Sequence, residues 1–471
     1  MKINIFMLII IFFFLIWTLQ KYYFQEEEET IYIAFIGPTD SEAGRLMTQG
    51  IRLYLDEING KKDELNGKKV ELITYDDENK CKADEKAKSE ALRIVDENKA
   101  LAVIGHWYSS CSITGGEVYK KYGIPAITPG SVNVKVTQGN EWYFRNIYNA
   151  SASGQFLAHY VKKVFQLKHV TIIHDGSGYG SYLAEMFEKA TEKLDDLEVS
   201  NKWDFQDSDD PKKKEMIFKN IVKKLKLDGE SAGAILLATQ ASEGIPLVKL
   251  IKDAGIQNPI ISGSGFSEKT FKNGFKTFPR EKANPGYYTN DIYVATPLIF
   301  DTANEKAQRF KEKYHDKYNE EPDWSAAYAY DTIMVLMKAI KQAKITGTKE
   351  SLKTDRASIR DVLASFTNIH DAVEGTTGFN YFDENRDAQK PVAIGVYKNE
   401  KLVSALTQFQ AMRNPNEISD LEAALQKDRV LIINDKYMYR TNVVYTGTVS
   451  YTHLRAHETP EHLVCRLLLE K

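Results

Sequence analysis

Two hydrophobic rhythms alternate along this chain. Short apolar, β-branched runs such as "IYIAFIG", "KKVELITYDD", "ALAVIG" and "IPAITPG" read as strands. The stretches between them repeat apolar residues at helical spacing, as Leu46, Ile51, Leu53, Leu55 and Ile58 do in "EAGRLMTQGIRLYLDEING". "ADEKAKSEALRIVDEN" and "SITGGEVYKKYG" continue the pattern as helices. Such alternation predicts parallel strands joined by right-handed crossovers, with ligands meeting the loops at the carboxyl ends of the strands.

A second set of units begins near Ala150. Strands "HVTIIHDG", "VSNKWDFQ", "AGAILLAT" and "PIISGSG" alternate with helices "SGQFLAHYVKKVFQ", "YGSYLAEMFEKATEKL", "KKKEMIFKNIVKKLKLDG" and "GIPLVKLIKDAG". The fold class is therefore α/β, in two lobes. From "GYYTNDIYVAT" onward the chain is expected to return to the first lobe through three helices, and then to form a hairpin with its turn at "DENRD".

The two ends depart from this pattern. Residues 3–19 are nearly continuous hydrocarbon behind one positive charge, which reads as an export signal. No small-residue cleavage site follows, so residues 1–24 are read as an uncleaved signal and membrane anchor, with the remainder outside the cytoplasm. Residues 411–448 read as the start of a further domain. Residues 449–471, "VSYTHLRAHETPEHLVCRLLLEK", match translated sequencing-adapter DNA, so no histidine or cysteine among them is assigned to a site.

Composition narrows the function. The 471 residues, 43% hydrophobic and 27% charged, allow two or three domains. The net charge of −3 comes with no basic stripe, which excludes nucleic acid as a partner. Leaving out Cys465, Cys81 and Cys111 form an even pair that suggests a disulfide in an exported protein.

"LAVIGHWYSSCS" raises three chemical readings: nucleophile with base, metal site, or ligand cradle. A nucleophile needs a base oriented by a third group, and nothing marks one for His106 and Ser109. His106 and Cys111 lack a second spaced pair, so no metal is read here, and no cofactor is read anywhere in the chain. His106 is expected to be a packed loop histidine.

Taken in order, "IGPTDSEAGRLMTQGIRLYLDEIN", "VIGHWYSSCS", "YGIPAITPGS", "IIHDGSGYG", "AYAYDTI" and "GFNYFDENRD" resemble the type I periplasmic solute-binding proteins of the branched-chain amino-acid binding family, across residues 31–402. The resemblance implies two Rossmann-like lobes joined by a three-strand hinge, with a ligand clamped between them. It implies crossings near residues 146–151, 286–291 and 371–375. The N-terminal lobe would take residues 30–148 plus 287–372, and the C-terminal lobe 149–286 plus 373–410. It implies no enzyme activity. It also implies delivery of a small solute to an ABC permease; the anchor and the further domain allow instead a ligand-sensing ectodomain of a membrane-anchored receptor or channel, acting on a signalling partner.

On that pattern a helix from near Ser112 points its free N–H groups at the preceding loop, where Ser109 and Ser110 become donors to a ligand carboxylate or similar oxygen. Trp107 and Tyr108 would wall the pocket. Gly130 and Ser131 in "TPGSV", Tyr179 in "HDGSGYG", Gln240 in "LLATQASEG" and Ser264 in "SGSGF" complete the expected ligand set. Two departures matter. The family's threonine after the proline loop is Val132 here, and its acid for a ligand ammonium is Ser264. A buried ammonium without a carboxylate is costly, so a carboxylate, amide or other small polar or aromatic guest is favoured over an α-amino acid unless Asp291 or Glu243 replaces the missing acid.

Overall fold

The computed structural model describes residues 30–405, apart from 60–64, 66–67, 79–83 and 206–209. Segments 1–24, 411–448 and 449–471, discussed above, lie outside the described residues, as does Cys81. Its proposed partner Cys111 is buried.

The first lobe is a parallel sheet with helices on its faces. Its elements run β1 (Ile31–Gly37), α1 (Glu42–Asn59), β2 (Val70–Asp76), α2 (Asp84–Glu97), β3 (Ala100–Gly105), α3 (Ser109–Tyr122), β4 (Ala126–Thr128) and β5 (Tyr143–Arg145). The strand order is β2-β1-β3-β4-β5, every pair parallel. All six residues of β3 are buried, which is why "ALAVIG" carries no polar position: helices cover both faces of a sheet of this kind.

The second lobe follows with α4 (Ala150–Lys163), β6 (His169–His174), α5 (Gly180–Thr191), β7 (Glu198–Asp204), α6 (Pro211–Asp228), β8 (Ala234–Ala238), α7 (Ala241–Asp253), β9 (Ile260–Ser262), α8 (Lys269–Asn273), α9 (Pro279–Ala283) and β10 (Ile292–Thr296). The chain then returns to the first lobe as α10 (Glu305–Tyr318), α11 (Trp324–Ala343) and α12 (Leu352–Ser365). Gly50 on α1 lies so close to the Ala326 carbonyl of α11 that any Cβ would collide with backbone, so these two helices meet almost backbone to backbone. A small pair, β11 (Val373–Gly375) and β12 (Gly378–Asn380), precedes β13 (Ala393–Lys398) and β14 (Lys401–Ser404). The second sheet has the order β14-β13-β10-β9-β8-β6-β7.

Two crossings lie later in the chain than the sequence pattern placed them. β10 pairs in parallel with β9, from Ile292 opposite Ile260 to Val294 opposite Ser262, so residues 292–296 belong to the second sheet and not to the first lobe. The return therefore runs through residues 297–304, not 286–291. The last crossing also comes after residues 371–375. The Asp331 carboxylate on α11 accepts N–H bonds from Thr376 (2.8 Å) and Thr377 (2.7 Å), which holds β11–β12 against the first lobe. An apolar strand reads the same in either sheet; only pairing assigns it. The first and last crossings run side by side: the Arg145 N–H donates to the Arg386 carbonyl (3.0 Å) and the Ala388 N–H to the Arg145 carbonyl (2.8 Å).

The hairpin turn is also displaced. "DENRD" closes a tight loop beside Arg145, whereas the turn joining β13 to β14 is Asn399-Glu400, both at positive φ (48° and 61°). Two consecutive left-handed residues match the right-handed twist of the flanking strands.

Candidate functional site

Five strand-end loops, two from the first lobe and three from the second, converge on one cavity. Trp107, Tyr108 and Ser109 follow β3, and Gly130 and Val132 follow β4. Tyr179 follows β6, Gln240 follows β8, and Ser264, Gly265 and Glu268 follow β9. Trp324, the first residue of α11, completes the wall. Parallel sheets present the carboxyl ends of their strands in this way, and here two sheets face each other.

The loop after β3 is fixed from beneath. His106 is buried, with Nδ1 2.6 Å from an Asp77 carboxylate oxygen and Nε2 3.0 Å from the Tyr119 hydroxyl. Its N–H donates to the Tyr143 hydroxyl at 2.9 Å. Both ring nitrogens are thus engaged by Asp77 and Tyr119, not by Ser109. The apolar strand ends on this anchor, and the next residues turn into the cleft.

α3 starts at Ser109, three residues earlier than the sequence reading placed it. The Ser112 N–H makes the first-turn bond to the Tyr108 carbonyl, so the helix mouth opens at Ser109 itself, on the cavity wall. The Ser109 hydroxyl accepts the Asn133 N–H at 3.3 Å.

Two expected ligand donors are placed elsewhere. Ser131 is buried behind the wall: its hydroxyl lies 2.6 Å from the Ser112 hydroxyl and donates to the Trp107 carbonyl at 2.9 Å, stitching the two first-lobe loops together. Ser110 sits at the seam between lobes, where its N–H approaches Gly178, and does not line the cavity. Trp107, Tyr108, Ser109, Gly130, Tyr179, Gln240 and Ser264 are all brought together at the cavity.

The aromatic wall depends on a glycine. The Trp107 ring stacks on Trp324, with centroids 5.0 Å apart and planes 27° apart. Its edge lies where a Cβ on Gly130 would fall, so the ring keeps this stack only while residue 130 is glycine. The Trp324 indole N–H is buried and has no hydrogen-bond partner among the described residues. Across the cleft, the Tyr179 hydroxyl accepts the Gly265 N–H at 3.4 Å, and the Gln240 N–H donates to Asp175 at 2.9 Å, tying the second-lobe loops together.

Glu268 was missed by sequence reasoning. Among the described residues it brings the one carboxylate on the cavity wall, and none of those lining the cavity is a lysine, arginine or histidine. No hydrogen bond or ion pair joins that carboxylate to another described residue. Burial pushes it well above the usual carboxylate range, and the nearby Asp323 and Glu42 push it further. The two acids considered as replacements do not reach the site. Glu243 pairs with Lys214, and Asp291 sits by the β13–β14 hairpin with its N–H on the Tyr397 carbonyl (3.0 Å). In the sequence Glu268 looks like any acid before a short helix; only the turn after β9 aims it inward.

The sequence profile described as periplasmic binding protein matches residues 30–401, the whole two-lobed body. The chain belongs to the periplasmic binding protein family. That membership implies a place outside the cytoplasm for this binding protein. Among the described residues, no helix is long and apolar enough to cross a membrane.

An amino acid binding protein of Pseudomonas aeruginosa is 32% identical to it over 209 residues, covering 44% of this chain and 51% of that protein. The chain thus matches about half the length of that relative. Among solved structures, the branched-chain amino acid transporter substrate-binding protein LivJ of Streptococcus pneumoniae, in complex with isoleucine, superposes with a TM-score of 0.65 at 24% identity, covering 79% of this chain and 97% of that one. An R. palustris ABC transporter solute-binding protein in complex with benzoate superposes with a TM-score of 0.63 at 18% identity, covering 80% and 95%. At these identities the superpositions establish the type I two-lobed fold of the binding protein. The same fold holds an amino acid in one neighbour and an aromatic acid in the other.

Proposed function

We propose that this binding protein captures a small amino acid or aromatic acid between its lobes and hands it to an ABC importer. The observation that carries the reading is the cavity itself, built by strand-end loops of two facing parallel sheets. A guest touching both walls favours the closed arrangement by the difference in its contacts with the closed and open forms. Ser109 and the mouth of α3 suit a carboxylate oxygen. The Trp107–Trp324 stack supplies a flat apolar wall, and the Trp324 indole N–H supplies a further donor. The apolar segment at residues 3–19 would hold the protein at the membrane, close to such an importer.

Thermal melting of the full chain against a panel of amino acids and aromatic acids tests this. At a concentration 100 times Kd, a guest stabilises the native state by about 2.7 kcal/mol and raises the melting temperature. No shift with any member of either class would overturn the proposal.

A further inference from the structure

Away from the cleft, one helix carries an unusual outer face. α6 holds seven lysines against one glutamate and one aspartate, in a chain whose net charge is −3. It joins β7, the edge strand of the second sheet, to β8. Its inner side is buried in the ordinary way: Phe218, Ile221, Val222 and Leu225 belong to the cluster that includes Ile173 and Ile235 of the sheet.

The outer side mixes charge with exposed hydrocarbon. Lys212, Met216, Lys219, Lys223 and Lys226 recur at intervals of four, three, four and three residues, the spacing of one helix face, and all are exposed. Leu227 continues the strip. Met216 and Leu227, 58% and 74% exposed, are the two most exposed large apolar side chains among the described residues. Lys219 pairs along its own helix with Glu215 at 2.6 Å, both side chains in water. Lys212, Lys213, Lys223 and Lys226 make no ion pair with another described residue. In the sequence these lysines form no stripe, because acids and apolar residues separate them; helical winding gathers them on one side.

We propose that the outer face of α6 docks the second lobe on an anionic lipid surface, its lysines reaching phosphate groups while Met216 and Leu227 enter the boundary between headgroups and acyl chains. Lysine stems suit this arrangement, since they lie along hydrocarbon and carry the ammonium back to the polar layer. A protein partner fits the face less well. Protein interfaces are enriched in arginine and aromatic residues and depleted in lysine, and the exposed side of α6 has neither arginine nor an aromatic ring. The same lack, on a strip only one helix long, leaves nucleic acid excluded. The two apolar tips stand eleven residues apart, about 16 Å along a convex rod, which matches a flat surface.

The binding protein's place outside the cytoplasm brings this face within reach of a membrane, and the apolar segment at residues 3–19 would keep it there. None of the α6 residues lines the cavity, so the inference depends on no particular guest. Docked this way, the second lobe rests on lipid while the first lobe stays free to swing about the hinge.

Lysine acetylation by an activated ester, read residue by residue by mass spectrometry, tests this on the full chain. Vesicles of phosphatidylcholine alone are compared with vesicles containing about one-third phosphatidylglycerol, so that residues 3–19 meet hydrocarbon in both. Each lysine near such a surface contributes roughly fivefold to docking, so modification of Lys219, Lys223 and Lys226 is expected to slow at least about tenfold on the anionic vesicles. Exposed Lys353 on α12 of the first lobe is expected to react alike on both. Sodium chloride at about 0.5 M is expected to remove the protection. Met216→Gln combined with Leu227→Gln, at exposed positions outside the core, is expected to cut the protection at least about threefold. Equal modification of the α6 lysines on the two kinds of vesicle would overturn the proposal. So would protection by soluble polyglutamate as strong as that by anionic vesicles and untouched by the double substitution, which would assign the face to an acidic polypeptide.

Discussion

Arg145 and Asp387 pair at 2.7 Å where two of the three interlobe crossings run side by side, both withdrawn from water. The guanidinium also donates to the carbonyls of Ser131 (3.1 Å) and Asn133 (2.8 Å), on the loop that carries the cavity wall. Asp387 accepts from Thr137 (2.7 Å) and from Asn149 (2.9 Å), the residue that caps α4. One ion pair thus joins the hinge, a cleft loop and the first helix of the second lobe. Asp387→Ala leaves a buried guanidinium unpaired. Loss of about 3–5 kcal/mol is expected in denaturant unfolding. A change under 1 kcal/mol would show that the pair does not organise the hinge.

Gly130→Ala tests the aromatic wall. The new methyl group occupies space held by the Trp107 ring, so the ring must leave its stack on Trp324. The fold is expected to survive, since Trp107 can swing toward the cavity. Affinity for the solute found by the melting screen is expected to fall at least about tenfold, or ~1.4 kcal/mol, with a change in tryptophan emission. Calorimetry and fluorescence on the same sample check both.

Much of this architecture was legible in the sequence, for a definite reason. Parallel sheets buried on both faces produce apolar runs like "ALAVIG", and crossover helices produce the 3.6-residue period between them. The loops at the ends of β3, β4, β6, β8 and β9 followed from that alternation; the family resemblance then singled out Trp107, Tyr108, Ser109, Gly130, Tyr179, Gln240 and Ser264 on them, and all seven line the cavity. Ser131 and Ser110 sit on the same loops but point elsewhere, which residue type does not reveal. Glu268 and Trp324 reach the cavity through the turn after β9 and the cap on α11, geometries with no local signature. The sheet to which β10 belongs depends on its pairing with Ile260 and Ile261, a long-range choice.

Lys390 gives a pH signature of the hinge. Its ammonium is buried, donating to the Thr377 hydroxyl (2.7 Å), the Thr377 carbonyl (3.1 Å) and the Asn380 side-chain oxygen (2.8 Å). Burial lowers it to about 8, against the raising influence of Asp331. Below pH 8 both folded and unfolded chains hold this proton, and the cost of burying the charge is fully present. Above pH 8 the folded chain releases it first, so stability rises with pH. Between pH 8 and 10 this group is expected to contribute a gain of about 2–3 kcal/mol. Denaturant unfolding of the wild type and of Lys390→Met across that range checks it; the variant should lack this increment.

The most direct measurement is calorimetric titration of the best solute from the melting screen into wild type, Ser109→Ala and Tyr179→Ala, variants of opposite cleft walls. If a guest bridges the two lobes, each substitution weakens binding at least about tenfold while both empty variants still fold and melt cooperatively, Tyr179→Ala at a lower temperature because it removes a buried ring. Unchanged affinity in both variants would place the guest outside the cleft and contradict the account.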